Sequence, residues 1–186
     1  MERLIALDVE TTGLRISEGH RIIEVGAVEI LDREITNNEF HEYVQPNRKV
    51  GESVNIHGIT DKFLINKPQF NQISDDLLSF IEGATLVIHN APFDLGFLNN
   101  ELKIFGIKET IEDICTVIDT LAESRKKSEY QGQRHSLDAL CSRFEIDDSS
   151  RTKHGALIDA RILAKVYLAL TGGQSNLFQE VKNTES

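Results

Sequence analysis

Asp8 and Glu10 stand two residues apart at the close of an apolar run. A strand repeats its faces every second residue, so both carboxylates fall on one face, where together they can grip a hard divalent cation. Asp94 follows His89 by five residues, where an apolar strand gives way to a helical pattern, and Asp159 lies in a late helix among Ala156, Leu157, Ile158, Ile162 and Leu163. Taken singly, each has a plainer reading. Asp94 suits a helix N-terminus on dipole grounds, and Asp159 is either on an exposed face or held by a cation. His154 precedes Asp159 by five residues, roughly 140° around an ideal helix, so the two share a site if His154 lies just before the helix, with Gly155 supplying the freedom. Alone, it would be a surface loop histidine. As a set, four carboxylates and a histidine have a chemical logic. Two Mg²⁺ or Mn²⁺ ions about 4 Å apart stabilise both the attacking and the leaving oxygen of an in-line displacement at phosphorus. A histidine titrating near neutrality can take the proton of the attacking water.

Positioning these groups requires a sheet. Leu4–Leu7 reads as a strand buried on both faces, Arg21–Leu31 as a second and Glu34–Val44 as a third, joined by a short Asp32-Arg33 turn. Beyond Pro46 a polar loop passes through Glu52 and His57 to a helix start at Thr60-Asp61. Phe70, Ile73, Leu77, Phe80 and Ile81 share a helical face that stops at Gly83. Leu86–Ile88 is a short buried strand. Phe93, Phe97, Leu98, Leu102 and Phe105 then repeat at helical spacing up to Gly106, and the stretch from Ile114 to Lys127 opens as a strand and continues as a helix. Ser136 caps a helix carrying Leu137, Leu140 and Phe144, and a final helix runs from about Ala156 to Thr171 before Gly172-Gly173. Strands first, then strand and helix in alternation, predict one α/β domain with a mixed five-stranded sheet flanked by helices, over residues 1–173. Residues 174–186 are expected to form a loose tail.

The chain has 186 residues, with 20 Lys and Arg against 30 Asp and Glu, a formal net charge of -10. Such acidity repels phosphate backbones at long range and disfavours a stand-alone, tight duplex binder. At 40% hydrophobic and 27% charged, the composition is that of a globular rather than a disordered protein. Cys115 and Cys141 sit in apolar patterns without paired metal-ligand spacing, which points to a reducing, cytoplasmic setting. No apolar run approaches the ~20 residues of a membrane span. Met1-Glu2-Arg3 leads into a strand pattern rather than a signal peptide, so membrane and secretory readings are not expected.

Asp8-Val9-Glu10-Thr11-Thr12-Gly13, His89-Asn90-Ala91-Pro92-Phe93-Asp94 and His154-Gly155-Ala156-Leu157-Ile158-Asp159-Ala160 resemble, in order and spacing, the three motifs of the DEDD exonucleases, histidine subclass. The similarity is nearest to the epsilon proofreading family of bacterial DNA polymerase III. It extends through Ile22–Val28, Val54–Ile59, His135–Cys141 and Thr171–Gln174. The resemblance implies a ribonuclease H-like exonuclease fold. It also implies that Asp8, Glu10, Asp94 and Asp159 hold two divalent metal ions, Asp8 as the bridge, and that His154 is the general base. Water would release a nucleoside 5′-monophosphate from a DNA 3′ end. Thr11, Thr12 and Gly13 would face the terminal sugar, with backbone and hydroxyls open to its 3′-OH, and Glu52 and His57 would approach the substrate.

Between Arg125 and Lys153 seven Lys or Arg meet five Asp or Glu, a local +2, which suggests a side that tracks the phosphates of a single strand. Phe63 and Phe93 are read as core in preference to base-stacking residues. Weak intrinsic affinity implies tethering to a partner. Gln174-Ser175-Asn176-Leu177-Phe178 resembles the short peptides that bind the sliding clamp, so Gln174, Leu177 and Phe178 are candidate partner contacts. The family implies the DNA polymerase III catalytic subunit as the main partner, with the clamp and a small accessory subunit as further ones. Two rival readings stand beside proofreading. One is a general single-strand or RNA-trimming 3′–5′ exonuclease; the other is a non-catalytic, polymerase-stabilising module, which the presence of all five motif residues disfavours.

Overall fold

The computed structural model describes residues 2–149, 151 and 153–179, the last seven of these as backbone. Strands β1 (Arg3–Thr11), β2 (Ile22–Leu31) and β3 (Glu34–Tyr43) come first, followed by two single-turn helices, α1 (Val54–His57) and α2 (Asp61–Leu64). Then come α3 (Phe70–Ile81), β4 (Thr85–Ile88), α4 (Ala91–Ile104), the single turn α5 (Ile111–Ile114) and β5 (Thr116–Asp119). The chain continues through α6 (Thr120–Lys126) and α7 (Leu137–Arg143) to α8 (Ala156–Gln179). The sheet has the order β3-β2-β1-β4-β5, antiparallel among the first three strands and parallel from β1 to β5. This is the mixed five-stranded α/β sheet that the sequence predicts.

Alternation along β1 explains both the core and the site. Ile5, Leu7 and Val9 face one side, against Phe70, Ile73 and Leu77 of α3 and Phe97, Leu98 and Leu102 of α4. Leu4 and Ala6 face the other, against Leu163, Ala164 and Tyr167 of α8. The same two-residue period carries Asp8 and Glu10 onto the α8 side, beyond the last apolar contact. Helix α7 backs α8 through Leu140, Cys141, Ile162 and Val166. Both cysteines are free and buried.

Local chemistry fixes the connections. Asp32 and Arg33 both take positive φ, 48° and 70°, the backbone of a two-residue hairpin that usually calls for glycine. The Arg33 side chain donates to the Leu168 carbonyl at 2.9 Å and to Thr171 Oγ1 at 3.1 Å on α8. Thr60 accepts the Phe63 N–H and so starts α2, while α3 has its own start at Gln69 and Gln72, a reciprocal capping pair. Ser136 accepts the Ala139 N–H at the head of α7, as expected.

One boundary differs from the expectation. Helix α8 does not stop at Gly172-Gly173 but runs on to Gln179. Gly172 avoids the left-handed conformation that ends a helix, and a glycine inside a helix costs only ~1 kcal/mol relative to alanine. The backbone of Gln174, Leu177 and Phe178 thus falls on the last turns of α8, and their side chains, like residues 180–186, lie outside the described residues. Among the described residues no helix is long and apolar enough to cross a membrane.

Candidate active site

Asp8 pairs across the sheet with Gly26, and Glu10 with Glu24. Gly26 is the seat of α8. A Cβ there would lie 2.2 Å from the Leu157 nitrogen and 2.3 Å from the Ala156 carbonyl carbon, so the first turn of α8 rests directly on the β2 backbone. That close approach brings Asp159, one turn into α8, over the carboxylates of β1.

Asp94 arrives from the opposite edge. Pairing of β1 with β4 ends at Ala6, so the Val9 N–H on that edge has no strand partner, and Asp94 Oδ1 accepts it at 3.1 Å. The reversal that delivers Asp94 uses Asn90 at φ 69° and a proline in the first turn of α4. Asp94 and Asp159 are both 3% exposed, which disposes of the exposed-face reading for Asp159, while Asp94 does lie in the first turn of its helix.

His154 lies immediately before α8, as its spacing from Asp159 requires, with Nδ1 3.1 Å from Asp159 Oδ2 and the ring half-exposed. Oxygens of Glu10 and Asp159 and a ring nitrogen of His154 fall within 4.8 Å of one another. Arg151 completes the group. Its Nε stands 2.6 Å from Asp159 Oδ1, and its Nη2 donates to Asp159 Oδ2 at 2.8 Å and lies 2.7 Å from His154 Nδ1. Its Nη1 reaches Asp138 on α7.

This concentration of negative charge is paid for in proton affinity. Burial, then the charges of Asp94, Asp159 and Glu10, hold Asp8 well above the usual carboxylate range, with Arg151 pulling the other way. Glu10 is pushed up to about 8 by burial and then by Asp159 and Glu24. Asp94 also reaches about 8 through burial, against the downward pull of its Val9 hydrogen bond. Burial works against the Arg151 guanidinium, but the hydrogen bond and charge of Asp159 outweigh it and raise its pKa.

Divalent ions fit these residues. Asp159 Oδ1 is buried without a hydrogen-bond partner, because the Arg151 Nε contact is close but misaligned, and an all-oxygen set with one histidine suits hard cations. A pH dependence follows. The folded, metal-free chain holds Glu10 near 8 against an ordinary 4.5, so it binds more protons than the unfolded chain between those limits. In chelator, stability is expected to fall as pH rises from about 4.5 to about 8, and the gain in Tm on adding Mn²⁺ to grow across the same window. Thermal unfolding at graded pH checks this. A chelated Tm that climbs through the window would contradict it.

A cleft of about 710 Å³, in the range of small-molecule sites, opens beside Glu10 and is lined by Thr11, Leu14, Glu52, Ile56, His57 and Phe93 among others. Glu52 and His57 therefore both lie on the cleft. His57 is 6% exposed; its Nδ1 accepts the Ile59 N–H at 3.0 Å and its Nε2 is buried without a partner. Burial lowers its pKa, with Glu24 opposing. The threonine hydroxyls differ from expectation. Thr11 Oγ1 donates to the Gly13 carbonyl at 2.7 Å, and Thr12 Oγ1 accepts the Arg21 N–H at 3.1 Å and bonds His20 Nδ1 at 3.0 Å. They are tied into the turn rather than open to a sugar. Gly13 supports that turn, since a Cβ there would lie 2.3 Å from the His20 ring.

Phe63, read as core, is 46% exposed, stacked edge-on against Tyr43 beneath Lys67. Phe93 is half-buried against Phe97 and reaches the cleft. The basic side is thinner than its count suggests. Arg151 is in the site, and Arg143 is held by the Arg134 carbonyl, Gln133 and the Tyr130 ring.

Sequence reasoning missed three contributors. Arg151 was visible only as a positive charge. Glu24 is 3% exposed beside Glu10 and takes a 2.7 Å hydrogen bond from His41 Nε2, a pairing that needs the β2–β3 register. His20 braces the Thr12-Gly13 turn, and only its nearness in sequence hinted at it.

Half-buried carboxylates from β1 and buried ones from α4 and α8, gathered beside a histidine at one end of a mixed sheet, define a metal-dependent nuclease. A family profile described as Exonuclease (RNase_T) matches residues 5–167. DNA polymerase III subunit epsilon of Pasteurella multocida is 51% identical over 183 residues, 96% of this chain and 72% of that protein. The Escherichia coli protein of the same name is 51% identical over 182 residues, covering 94% and 74%. The nuclease domain of 3′hExo, a DEDDh family member bound to rAMP, superposes with a TM-score of 0.79 at 18% identity, over 92% of this chain and 93% of that one, a likeness of fold. The chain belongs to the exonuclease family, among its DNA polymerase III epsilon members. It is a 3′–5′ exonuclease.

Proposed function

We propose that the chain removes mispaired nucleotides from primer 3′ ends for a bacterial replicative polymerase, working on the terminal phosphodiester at a two-metal centre. The observation that carries this reading is the convergence of Glu10, His154 and Asp159 within 4.8 Å, beside the half-buried Asp8 and the buried Asp94. Asp8, Glu10, Asp94 and Asp159 would hold two divalent ions, Mg²⁺ or Mn²⁺, which when bound supply charge to the attacking and leaving oxygens. Asp8 would be central to holding them, since it feels the charge of the other three. His154, half-exposed and anchored through Nδ1, is placed to take the proton of the attacking water. The cleft beside Glu10 would receive the terminal nucleotide, with Glu52 and His57 along its wall, Leu14 and Ile56 offering apolar surface to the base, and the Thr11–Gly13 turn holding the backbone close to the sugar.

The name shared by the relatives supports DNA and the DNA polymerase III catalytic subunit as partners, and a bacterial cytoplasm as the place of work. A clamp contact through Gln174, Leu177 and Phe178 and an accessory subunit are supported by sequence resemblance. The test is release of mononucleotides from a 3′-labelled mispaired primer with Mg²⁺, Mn²⁺ or chelator, beside an RNA strand of equal sequence. Nucleoside 5′-monophosphates are expected from DNA with either metal and none with chelator. Equal or faster digestion of RNA would sink the proofreading assignment, and undiminished release in chelator would sink the metal centre.

A further inference from the structure

The Arg151 side chain is 8% exposed although it belongs to the loop before α8, and it spans three acceptors from three places in the fold. It lies along both oxygens of Asp159, at 2.6 and 2.8 Å, touches His154 Nδ1 at 2.7 Å, and keeps its remaining nitrogen on Asp138. A guanidinium laid along both oxygens of Asp159 stands where a cation would bind. With both oxygens taken by the guanidinium, an ion arriving at Asp159 must compete with it for the same oxygen atoms. The existing contact is also imperfect, because Arg151 Nε and Asp159 Oδ1 are both buried and neither makes an aligned hydrogen bond. Such a fork is weaker than a matched bidentate pair and easier to exchange.

We propose that Arg151 is the internal counter-cation of the metal-free site, and that divalent ions displace it from Asp159 while Asp138 keeps hold of it. The inference rests on the reading of Asp159 as a metal ligand. Asp138 is suited to the task. Its side chain is 66% exposed at the start of α7, and it borders a cleft of about 530 Å³, shared with Asp148, Lys153 and His154, into which the guanidinium can withdraw. Arg151 thereby limits how tightly the ions are held, and it keeps Asp159 and His154 aligned when they are absent. It is a positioning residue, acting through Asp159.

The experiment is calorimetric titration of the full chain with Mn²⁺ alone, together with thermal unfolding in chelator. Arg151→Gln is expected to unfold at a lower temperature in chelator yet to bind Mn²⁺ about tenfold tighter, because one charge-assisted pair no longer has to be given up. Asp138→Asn, a change at an exposed side chain, is expected to weaken Mn²⁺ binding, since the displaced guanidinium loses its resting place. Arg151→Gln binding Mn²⁺ no tighter than the parent would overturn the proposal. If that variant does not fold, unchanged or tighter binding by Asp138→Asn overturns it instead. Failure of the parent chain to bind Mn²⁺ at all is a different result, which removes the metal centre itself and this inference with it.

Discussion

Asp8→Asn is expected to reduce mononucleotide release by about 10³-fold or more while raising the Tm of the chelated protein. The loss follows from position. Asp8 is the carboxylate that feels Asp94, Asp159 and Glu10 together, so removing its charge takes away the ligand best placed to bridge two ions, whose stabilisation of the transition state is worth several kcal/mol, each 1.36 kcal/mol being a factor of ten. The gain in stability has the same origin. A carboxylate held above its usual pKa by desolvation and by its neighbours works against folding in the absence of metal, and the isosteric amide relieves it without leaving a cavity. Digestion of a 3′-labelled primer and thermal unfolding in chelator measure the two effects. Full activity in the variant would end the two-metal account, whereas a fall in the chelated Tm would make Asp8 a structural residue.

Gly26→Ala is expected to cost about 10²-fold in kcat and to weaken Mn²⁺ binding, although Gly26 touches no substrate. The added Cβ would meet the Leu157 nitrogen at 2.2 Å and the Ala156 carbonyl carbon at 2.3 Å. Both are backbone atoms of the first turn of α8, with no rotamer to change, so the helix start must retreat by about 1 Å, a displacement that costs on this order when it reaches a catalytic group. His154 and Asp159 move with it. The strain also destabilises the fold by about 2 kcal/mol. Gly96→Ala is the matched control, because its Cβ would meet only the mobile end of Ile16 at 3.3 Å. Comparable kcat in the Gly26 variant and the control would show that α8 is not seated as described.

What the sequence revealed and what it hid divide along physical lines. Local periodicity is written in the chain. The alternation that buries Leu4–Leu7 and turns Asp8 and Glu10 to one face is visible without any knowledge of neighbours, as are the caps at Thr60 and Ser136. Contacts between strands are not written locally. Glu24 meets Glu10 through a register of β1 on β2, and His41 meets Glu24 through a register of β2 on β3, so neither pairing can be read from spacing. Arg151 was hidden for another reason. Loop arginines are usually solvated, and this one is buried only because Asp159 and Asp138 approach it from two helices. At the Thr11–Gly13 turn the family resemblance implied hydroxyls open to a sugar, whereas in this structure a tight turn uses them on its own backbone.

The seating of α8 on Gly26 and the grip of Arg33 on Leu168 and Thr171 are two ends of one span. From Gly26 to Leu31 the strand advances five residues, roughly 17 Å, and the long Arg33 side chain reaches on from the hairpin turn beyond it. From Leu157 to Thr171 the helix advances fourteen residues, about 21 Å. The helix is thus a strut of fixed length held at one end by β2 and at the other by the turn that follows it. It cannot pivot about either end without breaking the other. The place of Asp159 above Asp8 is therefore gauged by the sheet, and any insertion in α8 or β2 between the two ends would need a counterpart in its neighbour for the site to survive.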